Sequence, residues 1–331
     1  MTRDIITIEQ GKINNYLHHV DLKEFGAKRI LSSFIGEFDD FTIFLDCGSS
    51  LDIKHLLRYV KKNNIDLSKV KYLIPTHHHF DHAGGMWLLY EKVKTFNPEV
   101  KILTNRMTMD LLNDFEQHLN RAKRTFGSAI GEMSSIEEDA FKVISPIADF
   151  SNDLESFKII DTFKKEGSEI KLSIIKTPGH TPDHVCPIFI IDNKIDFIFF
   201  GEAAGTLFNA TRLLSIPTSM PIYFNFREYM ESLKKLQLLN PTSAGFCHFG
   251  VVNGEENIHE FLVDNETLMK EFRKLIIEAY DENPRTKHVV NKVLPMLSKR
   301  TDLIGNEHPV LLNIVLAITY GMMMDLGYRK E

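Results

Sequence analysis

The chain has 331 residues, of which 43% are hydrophobic and 25% charged, and its formal net charge is −6 at pH 7. These are the values of a folded globular protein with a large core, and the acidic balance disfavours a nucleic-acid partner. The length predicts one large domain with an addition, or two domains.

Three widely spaced cysteines without a CxxC pair indicate a reducing compartment rather than a disulfide framework. The N-terminal residues do not have the pattern of a signal peptide. The most apolar run, residues 309–324, is shorter than the ~20 residues that a membrane-spanning helix needs, and Asn313 interrupts it. We therefore expect a cytoplasmic protein that does not bind a membrane.

The first part of the chain predicts alternating strands and helices. Strands are predicted at residues 4–9, 29–35 and 41–45, and a helix that starts near Ser50 follows because apolar residues recur there at helical spacing. A short apolar run at residues 70–75 predicts a buried strand. This order of elements is typical of an α/β protein.

A group of metal-ligand residues follows that strand directly. His77, His79, Asp81 and His82 form the pattern His-x-His-x-Asp-His in the loop that leaves the strand. Because His77 and His79 are two residues apart, an extended chain can direct both the same way. Asp81 and His82 come where the chain turns and can face a second point. One loop could thus serve two metal ions about 3.5–4 Å apart.

This pattern resembles the signature of the metallo-β-lactamase-fold hydrolases. The family closes an early strand with an Asp-x-Gly sequence whose carboxylate supports the metal loop, which implies that role for Asp46. The alternative for Asp46 is a simple turn, with Gly48 supplying the turn conformation. His78 lies between two ligands, so it should point away from them, and we interpret it as structural.

A long helical segment is predicted after a helix at residues 86–94 and a strand at 100–104. It covers residues 105–142, with breaks expected at Gly127 and Gly131, and is longer than a crossover connection needs. We interpret it as an inserted cap that excludes water from a cleft, and the alternative is an ordinary pair of flanking helices.

Two predicted strands, at residues 159–163 and 168–175, lead to a second ligand loop. It reads Thr-Pro-Gly-His-Thr at residues 177–181, and its proline and glycine can make a tight turn that directs His180 inward. This sequence resembles the second metal motif of the same family. The resemblance implies that His180 joins the first two histidines of the first motif on one metal.

Further predicted strands at residues 185–191 and 195–200 lead to Glu202. The family usually has an aspartate here that bridges both metals. A glutamate can also bridge, but its extra methylene moves the carboxylate outward by about a bond length. Either the backbone has moved back, or the metals are displaced, or one metal alone binds tightly; we keep Glu202 as a ligand. His184 is interpreted as a packed residue or as a substrate contact.

A last ligand follows the predicted strand at residues 243–247. His248 matches the family's final ligand, which implies that it binds the second metal together with Asp81 and His82. Cys247 replaces the glycine that normally precedes this histidine, and we interpret it as a packed thiol.

The predicted fold class is α/β: an αββα sandwich of two mixed β-sheets flanked by helices. We expect a catalytic domain at residues 1–253, which contains the insertion at 105–142, and a helical C-terminal extension at 254–331. That extension either covers the cleft or forms the face of a homodimer.

The resemblance implies a dinuclear metal site, with Glu202 shared between the two metals. Imidazoles and carboxylates suit zinc, iron or manganese equally. We expect a metal-bound hydroxide, oriented by Asp81, to cleave a small ester, thioester or lactone. One alternative is a phosphoesterase on the same site. The other is a diiron redox or oxygen-binding protein. The expected metal ligands are His77, His79, Asp81, His82, His180, Glu202 and His248.

Overall fold

Two stacked β-sheets with helices on their outer faces form the centre of the protein. A computed structural model describes residues 4–302 and 311–330. Within these residues each sheet has seven strands, and each combines parallel and antiparallel pairs. The predicted αββα sandwich is confirmed.

The first sheet is antiparallel at one end and parallel at the other. Its strands lie side by side in chain order, antiparallel from β2 to β5 and parallel from β5 to β8. They are β2 (Gly11–Lys12), β3 (Leu17–Asp21), β4 (Ser32–Glu37), β5 (Thr42–Leu45), β6 (Val70–Ile74), β7 (Lys101–Asn105) and β8 (Phe141–Ile144).

The second sheet is built mostly from the later part of the chain. Its order is β1-β14-β13-β12-β11-β10-β9, and its described pairs are antiparallel except for the parallel pair of β12 and β13. Its strands are β1 (Ile6–Thr7), β9 (Asp161–Lys165), β10 (Ser168–Lys176), β11 (Val185–Ile191), β12 (Lys194–Phe199), β13 (Ser243–Phe246) and β14 (Gly250–Asn253).

The helices divide between the two outer faces. One apolar core joins both sheets to α1 and α3 to α5, and the other joins the second sheet to α6 to α9. The helices are α1 (Ile53–Lys62), α2 (Phe80–Ala83), α3 (Met86–Lys94), α4 (Arg106–Asn113), α5 (Glu116–Phe126), α6 (Phe226–Leu236), α7 (Glu255–Glu282), α8 (Thr286–Ser298) and α9 (Leu311–Asp325).

Several predicted boundaries were wrong. The segment predicted as helical up to residue 142 leaves the α-helical conformation at Gly127, which has a φ of +68°, and ends in the edge strand β8. The parallel pairing of β8 with β7 overrides the local helical pattern. The strand β3 was not predicted, because its sequence Leu-His-His-Val-Asp does not alternate and all five of its residues are buried.

The C-terminal helices pack on the second sheet and then turn back over the strand ends. The helix α7 is continuous over 28 residues, and α9 packs against α7, α8 and α5. The start of the apolar run predicted at residues 309–324 lies outside the described residues. The division of the chain at residue 253 stays a prediction. No helix among residues 4–302 and 311–330 has both the length and the apolar composition needed to cross a lipid bilayer.

Candidate metal centre

The loops that follow five strands bring all the predicted ligands to one edge of the sandwich. The loops leave β5, β6, β10, β12 and β13 at their carboxyl ends, where α/β proteins commonly hold their sites. In that order they carry Asp46, the residues 77–82, His180, Glu202 and His248.

The first ligand group consists of His77, His79 and His180. The Nε2 atom of His180 lies 3.1 Å from Nε2 of His77 and 3.1 Å from Nδ1 of His79. A carboxylate oxygen of Glu202 lies 2.6 Å from the same His180 nitrogen. All four side chains are buried, and their ligand atoms lie within 4.8 Å of one another. The predicted first metal site is therefore assembled.

The second ligand group consists of Asp81, His82 and His248. One oxygen of Asp81 lies 3.4 Å from Nε2 of His82 and 3.4 Å from Nε2 of His248. The same Glu202 oxygen is 3.5 Å from Nε2 of His82 and 3.5 Å from Nε2 of His77. Glu202 thus lies between the two groups, in the position that a shared ligand needs.

The thiol of Cys247 lies beside the second ligand group, with a possible ligand atom within 4.8 Å of those of His82 and His248. It donates a hydrogen bond to the carbonyl oxygen of Gly201 at 3.0 Å. Burial raises the pKa of this thiol well above its usual value. These contacts are those of a packed, protonated thiol, as the sequence predicted.

Hydrogen bonds fix the tautomers of two of the histidines. Nδ1 of His180 is 2.6 Å from the carbonyl oxygen of Thr218, and Nδ1 of His248 is 2.7 Å from the carbonyl oxygen of Ile30. Because a carbonyl oxygen can only accept, both Nδ1 atoms carry the proton. The Nε2 atoms of these neutral rings therefore present lone pairs to the site.

Asp46 orients a ligand from each group. One of its oxygens accepts hydrogen bonds from Nδ1 of His82 and from the hydroxyl of Thr76, both at 2.9 Å. Since that hydroxyl donates to Asp46, it accepts from Nδ1 of His77, which lies 3.0 Å away. The other oxygen of Asp46 accepts from the backbone N–H of Thr76. The predicted support of the metal loop by Asp46 is confirmed.

The arrangement of donor atoms fits divalent metal ions. Lone pairs of several neutral imidazoles converge with carboxylate oxygens, which is repulsive unless a cation lies between them. Burial and the neighbouring histidines lower the pKa of His77 and of His79 well below the usual value, so both rings stay neutral. Nε2 of His82 is buried and has no hydrogen-bond partner among the described residues. A metal ion would satisfy that atom.

His184 anchors the backbone at Glu202. Its ring is fully buried, with Nδ1 bonded to the hydroxyl of Thr177 and Nε2 accepting the backbone N–H of Glu202 at 3.1 Å. A side-chain atom at Gly201 would collide with this ring. The backbone before the Glu202 side chain is therefore held in a fixed position beside the site. His184 is a packed positioning residue, and the interpretation as a substrate contact was wrong.

His78 belongs to neither of the two ligand groups and is held by Asp183, although its ligand atom lies within 4.8 Å of those of His79 and His118, with which it could form a further metal-holding group. The carboxylate of Asp183 accepts hydrogen bonds from its backbone N–H at 3.0 Å and from its Nδ1 at 2.9 Å. Asp183 also accepts from the hydroxyl of Thr108, which ties this loop to α4. The sequence reasoning assigned no role to Asp183, because a single aspartate after a histidine motif carries no distinguishing pattern.

A cavity opens from the second ligand group. Its empty space is about 1000 Å³, including the mouth. The helices α5 and α9 form two of its walls, and the ring of His118 on α5 stacks parallel to that of His79 at 5.0 Å. Most of the described wall is apolar, with contributions from Phe25, Ile30, Phe80, Phe126, Ile314 and Ile318.

The fold and the cluster of imidazoles and carboxylates at the strand ends define a protein with a metal site on an αββα sandwich. The family model of the metallo-beta-lactamase superfamily matches residues 26–241. The chain therefore belongs to this superfamily.

Two curated relatives are similar to the chain in sequence. The metallo-beta-lactamase fold-containing protein ST1585 of Sulfurisphaera tokodaii is 27% identical over 239 residues, which are 68% of this chain and 80% of that protein. The probable metallo-hydrolase YqjP of Bacillus subtilis is 23% identical over 240 residues, 67% of each protein. The crystal structure of ST1585 matches the fold with a TM-score of 0.62, covering 93% of this chain and 98% of that one at 22% identity.

Proposed function

We propose that the protein is a metal-dependent hydrolase that cleaves an ester, thioester or lactone bond in a small molecule. The observation that carries the proposal is the convergence of the two ligand groups on Glu202 at the end of a largely apolar cavity. The similarity to a probable metallo-hydrolase supports hydrolysis as the reaction class.

The residues of the site have two roles, which are to bind the metal ions and to orient the attacking water. The first ligand group would hold one metal ion and the second ligand group the other, with Glu202 shared. Such ions lower the pKa of a bound water and polarise the bond to be cleaved. Asp81 faces both the second ligand group and the cavity, so its carboxylate can orient the attacking water. The donor set suits zinc, iron or manganese.

The lining of the cavity favours a substrate with a hydrocarbon body over a phosphoester. Its described wall carries three carboxyl groups, those of Glu24, Asp81 and Glu202, against the guanidinium of Arg121. Asp81 and Glu202 would be neutralised by the metal ions that they hold, so the preference for an ester or lactone rests on the apolar part of the wall. The apolar wall suits a hydrocarbon body.

The test is metal analysis of the full chain together with a panel of a small ester, thioester, lactone and phosphodiester. We expect metal-dependent turnover of one of the first three substrates and none of the phosphodiester. A visible–ultraviolet spectrum after aerobic purification separates a diiron redox protein from a hydrolase. Hydrolysis of the phosphodiester alone, or metal uptake with redox absorption and no hydrolysis, would overturn the proposal.

A further inference from the structure

A buried carboxyl group outside both ligand groups lies on the cavity wall. The Glu24 residue is 2% exposed, and its Oε1 atom has no hydrogen-bond partner among the described residues. Its side chain lines the same cavity as Asp81, Glu202 and His248. A buried polar atom without a partner lowers the stability of the folded protein. The contacts within the folded chain therefore do not explain why a glutamate occupies this position.

The turn that carries Glu24 is built to hold it in place. It is a 3₁₀ turn at residues 24–26 with positive φ angles at Lys23 (56°) and Phe25 (53°). The carboxylate of Asp21 fixes the turn by accepting the backbone N–H groups of Lys23 at 3.0 Å and of Arg29 at 3.3 Å. The ring of Phe25 stacks on Phe126 of α5 at 5.5 Å. The carboxyl group therefore does not rotate freely into solvent.

The described residues around Glu24 give the Oε1 atom of its carboxyl group no partner. Burial raises the pKa of Glu24 well above its usual value. No salt bridge joins Glu24 to a lysine or arginine in the described part of the chain. What the carboxyl group lacks is a hydrogen-bonding partner.

We propose that Glu24 is a substrate-binding residue whose carboxyl group accepts a hydrogen bond from a donor on an otherwise apolar substrate. This inference rests on the proposed function and narrows it. The substrate is a molecule with a hydrocarbon body that fills the apolar cavity and a hydroxyl or N–H group that reaches Glu24. A site built to accept a hydrogen bond discriminates against the analogue that lacks the donor, because the buried oxygen is then left unpaired.

The first test compares esters that differ by one hydroxyl group. Hexyl acetate and a series with a single hydroxyl placed at successive carbons of the hexyl chain are hydrolysed by the metal-loaded full chain. We expect kcat/KM to be roughly tenfold higher for the best-placed hydroxyl than for hexyl acetate. In the Glu24→Leu variant this ratio should fall toward one, mainly through KM, whereas Glu24→Gln should keep most of it.

Asp52→Asn is the matched control. The Asp52 carboxylate is also buried, but it bonds to Ser49 and does not line the cavity. The variant changes the charge near Glu24 without removing the proposed contact, so the hydroxyl preference should survive. Loss of the preference in Asp52→Asn as well would show a general electrostatic effect and would overturn the assignment of Glu24.

The second test does not depend on turnover. Calorimetry measures the binding of hexanol and of the corresponding hexanediols. We expect the diol with the best-placed hydroxyl to bind more tightly than hexanol, and this difference in affinity to be lost in Glu24→Leu.

Thermal unfolding should show a higher Tm for Glu24→Leu, because an apolar side chain replaces an unpaired buried acid. A merely structural glutamate would give a lower Tm. Equal binding of both alcohols to the wild type refutes the inference even if esters are cleaved. Absence of turnover with the ester, the thioester and the lactone of the panel refutes the proposed function instead.

Discussion

The two ligand groups differ in how closed they are. The nitrogen atoms of the first ligand group lie 3.1 Å apart, and the rings of His77 and His180 are fully buried. The second ligand group gathers around Asp81 at 3.4 Å, and the side chain of Asp81 is 14% exposed. Asp81 and His248 of the second group line the cavity together with His79 of the first, whereas His77, His180 and His82 do not. The second group therefore exposes more of its ligands to the cavity than the first.

This difference has a parallel in the chemistry of metal sites. Sites that hold metal for structure are fully enclosed by protein ligands, whereas catalytic sites leave a position open. We therefore infer that the first position is filled more tightly, and that the second governs access of water and substrate. The following variants separate the two positions.

The largest effect is expected for His79→Ala. Removal of one of three closely spaced donors should abolish binding of the first metal and reduce turnover by far more than the roughly 10–100-fold caused by loss of a supporting hydrogen bond. Metal content and kcat/KM measure this, and circular dichroism should show a folded protein. The control is His259→Ala, which changes an exposed histidine on α7. Unchanged turnover in His79→Ala would remove the proposed site.

A smaller effect is expected for His248→Ala, because the second position keeps Asp81 and His82. The metal content should fall from two ions to one per chain, with turnover reduced about 100-fold. Metal titration followed by calorimetry should then show the tighter of the two binding events unchanged. Loss of both metals in this variant would contradict the difference between the two groups.

Asp46 supports one ligand of each group, so a change at this residue should affect both metal positions. Its carboxylate holds His82 directly and His77 through the hydroxyl of Thr76. Asp46→Asn should therefore weaken metal binding at both positions, by about 10–100-fold. Thr76→Val is the matched variant, and it should weaken the first position alone. Equal effects of both variants on both positions would show that the loop responds as a unit.

The ligand residues could be predicted because chemistry restricts what may stand at those positions. A metal needs imidazole or carboxylate donors. In the loops of His77 and His180 such residues directly follow apolar runs that predict strands. The role of Asp46 was predicted from the resemblance to the family, and its carboxylate does support the loop. Which ring nitrogen faces the site could not be predicted, since that depends on backbone carbonyls such as those of Ile30 and Thr218.

The cavity could not be predicted because the residues that line it have no sequence pattern that distinguishes them from packed core residues. The apolar residues of α9 that line it look like those of any packed helix. Glu24 lies in a segment with no motif, and its burial follows from a turn fixed by Asp21 through contacts with the backbone alone. The edge strand β8 depends on pairing with β7, a long-range contact that a local helical pattern does not reveal.

The smallest expected effect is the gradual change of metal content with pH. Burial and neighbouring histidines hold the pKa of His77 and His79 well below the usual value, so a proton competes only weakly with metal for these two rings. At the second position burial lowers the pKa of His82, but the carboxylates of Asp81 and Asp46 outweigh burial and raise it well above the usual value. A proton therefore competes with metal for His82 more strongly than for His77 or His79.

Because metal binding requires the deprotonated imidazole, acidification should release the second metal before the first. Stepwise acidification should reduce the metal content from two ions toward one before the first ion is lost, with turnover falling in parallel and recovering when the pH is restored. The measurement is metal analysis after gel filtration at each pH. Simultaneous loss of both ions would mean that the two positions share one proton-linked step, and that the closed first group gives no advantage over the open second one.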